Sequence, residues 1–262
     1  MDLSLAGKRA LVCGSTQGIG RAAAAELALL GAEVTLLARD AERLRAAMQA
    51  LSRSAGQTHD WIAADFTRPD DVRAAVEEHL AGETVFHILV NNTGGPPAGE
   101  ALHAGVHEYT AAFTQHLVCN QLLAQLVVPG MKAAGYGRIV NVISTSVKQP
   151  IRGLGVSNTI RGAVASWAKT LAAELGPFGI TVNNVLPGAA RTGRLTALIR
   201  GKAEKLGLTP EEVERSMVAE IPAGRISGAE EVAAAVAFLA SPAAGYINGV
   251  NLPVDGGRTG SL

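Results

Sequence analysis

Three glycines in CGSTQGIGR, residues 13–21, are spaced G-x-x-x-G-x-G, and the chemistry such a spacing serves is holding a phosphate. Gly14, Gly18 and Gly20 would let backbone N–H groups at a helix N-terminus approach a pyrophosphate closely, where the helix dipole also favours negative charge. The pattern differs from the G-x-G-x-x-G of the standard dinucleotide fingerprint, and a tight strand–helix turn also accounts for three glycines. What favours a nucleotide is position: the apolar run RALVC (9–13) leads into the loop, and the strongly helix-forming GRAAAAELALLGA leaves it. A second clue lies in LLARDAERL, where the chain turns after its next apolar run. NAD sites place an acidic side chain near that turn for the ribose hydroxyls, whereas an arginine accommodates the 2′-phosphate of NADP. Arg39 comes first after the run, and Asp40 follows in the position of a helix N-cap. That order favours NADP(H) over NAD(H), although a rotated loop would put Asp40 on the ribose instead.

Other polar residues carry less. His103 and His107 have the i, i+4 spacing of metal ligands, but the helix offers no third ligand and no H-E-x-x-H pattern, so no metal site is expected. Cys13 and Cys119 have neither metal-ligand spacing nor a disulfide framework around them.

These residues need a scaffold, and the chain supplies one by alternation. Apolar β-rich runs at 9–13, 33–38, 59–65, 85–92, 137–144 and 179–188 alternate with alanine-rich helical stretches, and VNLPVDGG closes the chain as a last strand. Long helices are expected at 103–134 and 153–176, and Pro69 suits the start of another. Continuous apolar strands separated by helices predict an α/β fold, a doubly wound parallel sheet covered on both faces. The irregular region is 189–227, polar and rich in Gly and Arg, with helix-like TALIRGKAEKL and PEEVERSMVAEI. An insertion after a late strand's carboxyl end overhangs the ligand crevice, which predicts a substrate lid; a surface helix pair without function is the alternative. The lid mixes Leu195, Leu198, Ile199 and Met217 with many charges and so does not choose a lipid over a sugar.

Composition narrows the class. Hydrophobic residues are 48% of the chain and charged ones 18%, which excludes disorder and a charge-rich coiled coil. Lys plus Arg and Asp plus Glu number 23 each, so no net charge favours nucleic acid or an anionic membrane. Lys8–Arg9 interrupt the N-terminus where a signal peptide needs an apolar core, and no apolar run is long enough to span a bilayer. A cytoplasmic protein acting on a small molecule is the expectation.

With GSTQGIG, AADF, LVNNTGG, RIVNVIS and VNNVLPGAART in this order, the chain resembles the short-chain dehydrogenase/reductase family. Within it, the resemblance is nearest to 3-oxoacyl-carrier-protein reductases and sugar or polyol dehydrogenases, and it runs over residues 1–262. It implies one Rossmann-type domain with a seven-stranded sheet, commonly assembled as a homotetramer, with a homodimer as the smaller alternative. It further implies that Gly14, Ser15, Gln17, Gly18, Ile19 and Gly20 hold the phosphates and adenosine ribose, and that Asp65, followed by Phe66, receives the adenine amino group. Asn91, Asn92, Thr93 and Gly94 match an Asn-Asn-Ala-Gly segment that supports the sheet and passes the ribose; threonine for alanine is a small change. Pro187, Gly188 and Thr192 match the segment around the nicotinamide, and Ser144 the serine that orients the substrate carbonyl.

The departures fall on the chemistry. The family's tyrosine, which exchanges the substrate proton, stands thirteen residues after the serine, and a lysine one helical turn later binds the nicotinamide ribose. Counted from Ser144, those positions hold Ser157 and Arg161. The remaining tyrosines, Tyr109, Tyr136 and Tyr246, offer no evident route to the nicotinamide. A serine hydroxyl titrates well above even tyrosine's value of about 10, so it is a poor acid, while Arg161 keeps a positive charge and a planar fork for ribose hydroxyls. An asparagine that holds a relay water is replaced by His116, which could take over the relay or simply pack in a helix interface. Lys148, four residues after Ser144, would be the proton donor if desolvated and a plain loop lysine if not. Two readings follow: an NADP-dependent oxidoreductase on a carbonyl/alcohol pair with an atypical donor, or a catalytically impaired dinucleotide binder acting as sensor or partner subunit.

Overall fold

RALVC is apolar at consecutive positions because both of its faces are covered. In the computed structural model, which describes residues 1–82 and 84–261, Ala10 and Val12 of β1 (Arg9–Cys13) enter one hydrophobic core while Leu11 and Cys13 enter another. The side-chain period of two thus feeds two cores at once. The remaining strands are β2 (Glu33–Ala38), β3 (Asp60–Ala63), β4 (Ile88–Asn91), β5 (Gly137–Val142), β6 (Ile180–Pro187) and β7 (Asn251–Val254). They form one parallel seven-stranded sheet in the order β3-β2-β1-β4-β5-β6-β7. Direction along the sheet reverses between β1 and β4, so the ligand crevice lies beyond their carboxyl ends.

Helices α1 (Gly18–Leu29), α2 (Ala41–Gln49), α3 (Pro69–Leu80), α4 (Val106–Phe113), α5 (Cys119–Ala133), α6 (Gly155–Leu175), α7 (Gly193–Leu206), α8 (Pro210–Ala219) and α9 (Ala229–Ala240) complete the fold. On one face Ala23, Ala24 and Leu27 of α1 share a core with Val232 and Val236 of α9. On the other, α3, α5 and α6 contribute Val72, Leu123 and Ala168. The helix expected over 103–134 starts at Val106, because Ala101–His103 form a separate 3₁₀ turn, and a π-helical turn, Thr114–Val118, interrupts it before α5. The strands expected at 59–65 and 85–92 shorten to β3, an edge strand with only Ile62 buried, and to β4, which is buried throughout.

A row of asparagine amides crosses half the sheet. Asn91 Nδ2 donates to Asn141 Oδ1 at 2.8 Å, Asn141 Nδ2 to Asn184 Oδ1 at 2.9 Å, and Asn184 Nδ2 to Asn251 Oδ1 at 2.8 Å. The pairs are register partners on β4 to β7, so in-register pairing puts like amides side by side.

The segment 189–227 grows from one point. Ser227 N–H donates to the Ala189 carbonyl at 3.1 Å and Arg191 N–H to the Ser227 carbonyl at 2.9 Å, which ties its two ends together. Between them α7 and α8 close their own small core of Leu195, Ile199, Ala203, Val213, Ile221 and Ile226, with Met217 packed against it. Leu195, Ile199 and Met217 therefore hold this segment together and do not discriminate between lipid and sugar. Among the described residues no helix is long and apolar enough to cross a membrane.

Candidate active site

Each glycine of the loop after β1 is required where it stands. Gly14 (φ +58°) and Gly18 (φ +54°) occupy the left-handed region, and a Cβ on Gly20 would lie 2.3 Å from the Gly14 carbonyl oxygen. Asn92, just past β4, locks the loop by donating from Nδ2 to the Cys13 and Gly14 carbonyls, both at 3.3 Å. Thr192 closes it from above: its Cγ2 would be 3.1 Å from a Cβ on Gly18, and its Oγ1 caps α7 by accepting from Leu195 N–H at 3.3 Å. The Ser15 hydroxyl in the same loop is fully buried and has no hydrogen-bond partner among the described residues. An orphaned donor beside a glycine cradle at the start of α1 fits a phosphate group. Gln17 is the extended residue before α1, and Ile19 leans on the core of that face.

At the β2 and β3 ends, Asp40 caps α2 by accepting from Arg43 N–H at 3.0 Å and pairs with the Arg43 guanidinium at 3.3 Å. Its carboxylate is committed to the helix, while Arg39 stays exposed. Asp65 accepts from Thr67 N–H at 2.9 Å. That bond first, with smaller help from the charges of Arg39 and Arg68, holds its carboxyl below the ordinary range against the effect of burial. Phe66 packs against the second core, and its carbonyl accepts from the Cys119 thiol at 3.4 Å.

The other half of the crevice holds the departures. Ser144, at the end of β5, accepts on its hydroxyl from Ser146 N–H at 3.1 Å and so starts the 3₁₀ turn Thr145–Val147, which ends at half-buried Lys148. Ser157 and Arg161 lie one turn apart on α6, with exposures of 8% and 7%. Arg161 Nη1 donates to the Val142 carbonyl at 3.2 Å, setting its guanidinium at the carboxyl end of β5, and its Nε has no partner. Burial first, then the charge of Arg194, brings Arg161 down to about 10, so it remains a cation at neutral pH.

His116 sits in the π-helical turn, 2% exposed, with Nδ1 2.5 Å from the Thr93 hydroxyl and Nε2 buried without a partner. Burial, followed by the charges of Arg161 and Arg194, pushes it down to about 2. The imidazole is therefore neutral. Thr93 contributes a side chain as well as its backbone: its hydroxyl is the partner of His116. Position-by-position comparison hides such a pair, and two departures in one site were its only sign in the sequence.

Arg194, in the first turn of α7, was absorbed in the sequence into a generally charged segment. Its guanidinium donates to the Pro96 carbonyl in the loop after β4 and lies beside Gly95. Gly94 is open, and a Cβ there would meet nothing within 4 Å. Gly188, after Pro187, has no room for a side chain, since a Cβ would lie 2.7 Å from Asp255 Cβ. The tyrosines stay outside the crevice: Tyr109 donates to the Ala101 carbonyl at 3.2 Å, Tyr136 to the Ala240 carbonyl at 2.7 Å, and Tyr246 is fully exposed. His103 pairs with Glu100 at 3.1 Å on its own 3₁₀ turn, away from His107 on α4, and the described residues hold no cluster of three metal-ligating side chains.

Residues 14–259 match the protein family described as enoyl-(acyl carrier protein) reductase. The chain is 35% identical over 251 residues to the short-chain reductase protein NovJ of Streptomyces niveus, covering 95% of this chain and 93% of that protein. It is 33% identical to the 3-oxoacyl-[acyl-carrier-protein] reductase FabG of Vibrio cholerae, over 97% and 98% of the two chains. Among solved structures, L-sorbose reductase from Gluconobacter frateurii, complexed with NADPH and L-sorbose, superposes with a TM-score of 0.93 at 31% identity, covering 100% of both chains.

Proposed function

Because this chain belongs to the short-chain dehydrogenase/reductase family, we propose that it is an NADP(H)-dependent oxidoreductase interconverting a carbonyl and an alcohol with an atypical proton donor. The observation that carries the reading is the glycine cradle, closed below by Asn92 and above by Thr192. NADPH, when bound, supplies the hydride to the carbonyl carbon, while the oxygen takes one proton. Gly14, Ser15, Gln17, Gly18, Ile19 and Gly20 would hold the phosphates and adenosine ribose, and Arg39 the 2′-phosphate. Asp65 and Phe66 would flank the adenine, Asn92, Thr93 and Gly94 the ribose, and Pro187, Gly188 and Thr192 the nicotinamide.

Ser144 orients the carbonyl oxygen. Arg161 holds the nicotinamide ribose and lends its charge to the oxygen as it becomes anionic. Ser157 leaves space where the family's acid stands. The proton comes from Lys148 or through water along Thr93 and His116. A neutral imidazole conducts a proton between two partners but does not store one, so His116 is a relay and not a source. A positioned acid is worth about 10²–10⁴-fold in rate, which leaves a slower enzyme and not a dead one. The segment 189–227 is its lid on a single domain of residues 1–262. A cytoplasmic homotetramer (or homodimer) suits exposed Val106, Phe113 and Val118 along α4 and the π-helical turn.

Fluorescence titration with NADPH and NADH, followed by cofactor oxidation over ketones, 3-oxoacyl thioesters and sugars, tests the reading. Turnover is expected, reduced in Lys148→Ala or His116→Ala and raised in Ser157→Tyr/Arg161→Lys. NADPH binding with no turnover across the panel refutes it and leaves a dinucleotide-binding sensor or partner subunit.

A further inference from the structure

Two arginines reach the carboxyl ends of neighbouring strands, Arg161 the last carbonyl of β5 and Arg194 the loop after β4. Arg161 is buried, with one nitrogen spent on a backbone carbonyl and Nε unpartnered. Arg194 reaches in from the lid segment and is anchored by the Pro96 carbonyl, which leaves the rest of its fork uncommitted. Neither forms an ion pair with an acidic side chain among the described residues, whereas Arg191 and Arg225 of the same segment pair with Glu214 and Glu231. Arg194 reaches the loop after β4 that also carries Thr93, the partner of His116, and its charge adds to the burial that disfavours charge on His116 and Arg161. The buried positive charge of Arg161, joined by that of the more exposed Arg194, is costly unless an anion joins it.

Two anions are available to such a site: the phosphates of the cofactor and a carboxylate on the substrate. The phosphates belong to the glycine loop under Thr192, where Ser15 and the backbone wait for them. Arg194 points elsewhere, to Gly95 and Pro96 in the loop after β4, the strand that pairs with the β5 whose end bears Ser144 and the carbonyl held by Arg161. Resting on the oxidoreductase reading above, we infer that the substrate is an oxo acid or the corresponding hydroxy acid, whose carboxylate is bound by Arg194 with the charge of Arg161 behind it. The planar fork of an arginine suits a carboxylate by two parallel N–H···O bonds. The lid segment, tied at one point and latched through this side chain, then closes over the part of the substrate that carries charge.

The test is calorimetric and needs no turnover. NADPH binding is measured first, because its absence refutes the oxidoreductase reading and this inference with it. The protein saturated with NADP⁺ is then titrated with 2-oxobutyrate, acetoacetate and levulinate, each against its methyl ester. At least one acid is expected to bind about tenfold or more tightly than its ester, the worth of a charge-assisted hydrogen bond. Arg194→Gln should erase that preference, and Arg194→Lys should restore part of it. Acid–ester parity in the unmodified protein for all three pairs overturns this inference alone. Arg194→Gln that weakens NADPH about tenfold while keeping the acid preference overturns it too, and assigns the arginine to the cofactor phosphates.

Discussion

His116→Asn should make the fold less sensitive to acid, although it removes a hydrogen bond. In the folded chain His116 is buried against Thr93 and held down to about 2 by burial and by the charges of Arg161 and Arg194. In the unfolded chain it titrates near 6.5 like any histidine. Its folded value is the lower one, so the neutral imidazole's contribution to stability is complete above pH 6.5 and drains away as the pH falls toward the folded value. One linked proton is worth about 1.4 kcal/mol per pH unit, so between pH 7 and pH 5 the folded state loses about 2 kcal/mol through this residue alone. The measurement is urea unfolding of the wild type and His116→Asn at pH 7, 6 and 5, at one protein concentration. The variant carries a constant cost for the lost Thr93 bond, and all other titrating groups cancel in the difference between the two proteins. The gap between them should therefore shrink by about 2 kcal/mol on going from pH 7 to pH 5. A gap that stays within about 0.5 kcal/mol over that range would refute a neutral, desolvated His116.

Gly20→Ala places a methyl group 2.3 Å from the Gly14 carbonyl oxygen and 2.6 Å from Asn92 Nδ2, neither of which can retreat without opening the loop. It should cost about 1–3 kcal/mol in unfolding free energy and weaken NADPH binding in a fluorescence titration; an unchanged affinity would show that the phosphates lie elsewhere. Arg39→Ala should weaken NADPH about tenfold and leave NADH within about twofold, since only the former carries the 2′-phosphate. Equal losses for both cofactors would mean that Arg39 does not read that group.

The elements were legible because their signals are local. ALVC (10–13) and ILV (88–90) are apolar without a break, which only a strand covered on both faces requires, and the structure divides their residues between two cores. Asp40 read correctly as a cap because a cap depends on the next three residues. What escaped depends on register or on pairs. The asparagine row needs β4 to β7 aligned residue for residue, and no single strand announces which partner it will meet. Arg194 looks like one more charge on a polar helix until the fold points it away from its own segment and into the loop after β4. Leu195, Ile199 and Met217 could not choose a lipid over a sugar in the sequence, and the structure gives the reason: the segment had to bury something to stand as a unit, and these residues supply it.

The same distinction bears on whether the altered residues record decay or adjustment. Unselected loss would scatter through the cofactor cradle as readily as through the acid–base end. Here Gly14 and Gly18 take a left-handed backbone that side chains disfavour, Gly20 has no room for a Cβ, and Asn92 and Thr192 close the loop. The departures that the resemblance implies, at Thr93, His116, Ser157 and Arg161, lie instead at the carboxyl ends of β4 and β5 and on the helices facing them. Two of these residues bond to each other, and position 161 carries a cation that stays charged when buried. A histidine kept neutral by its surroundings beside an arginine that is not is a division of charge that a packed core has no use for. It is of use where a proton must pass on one side and an anion must be held on the other.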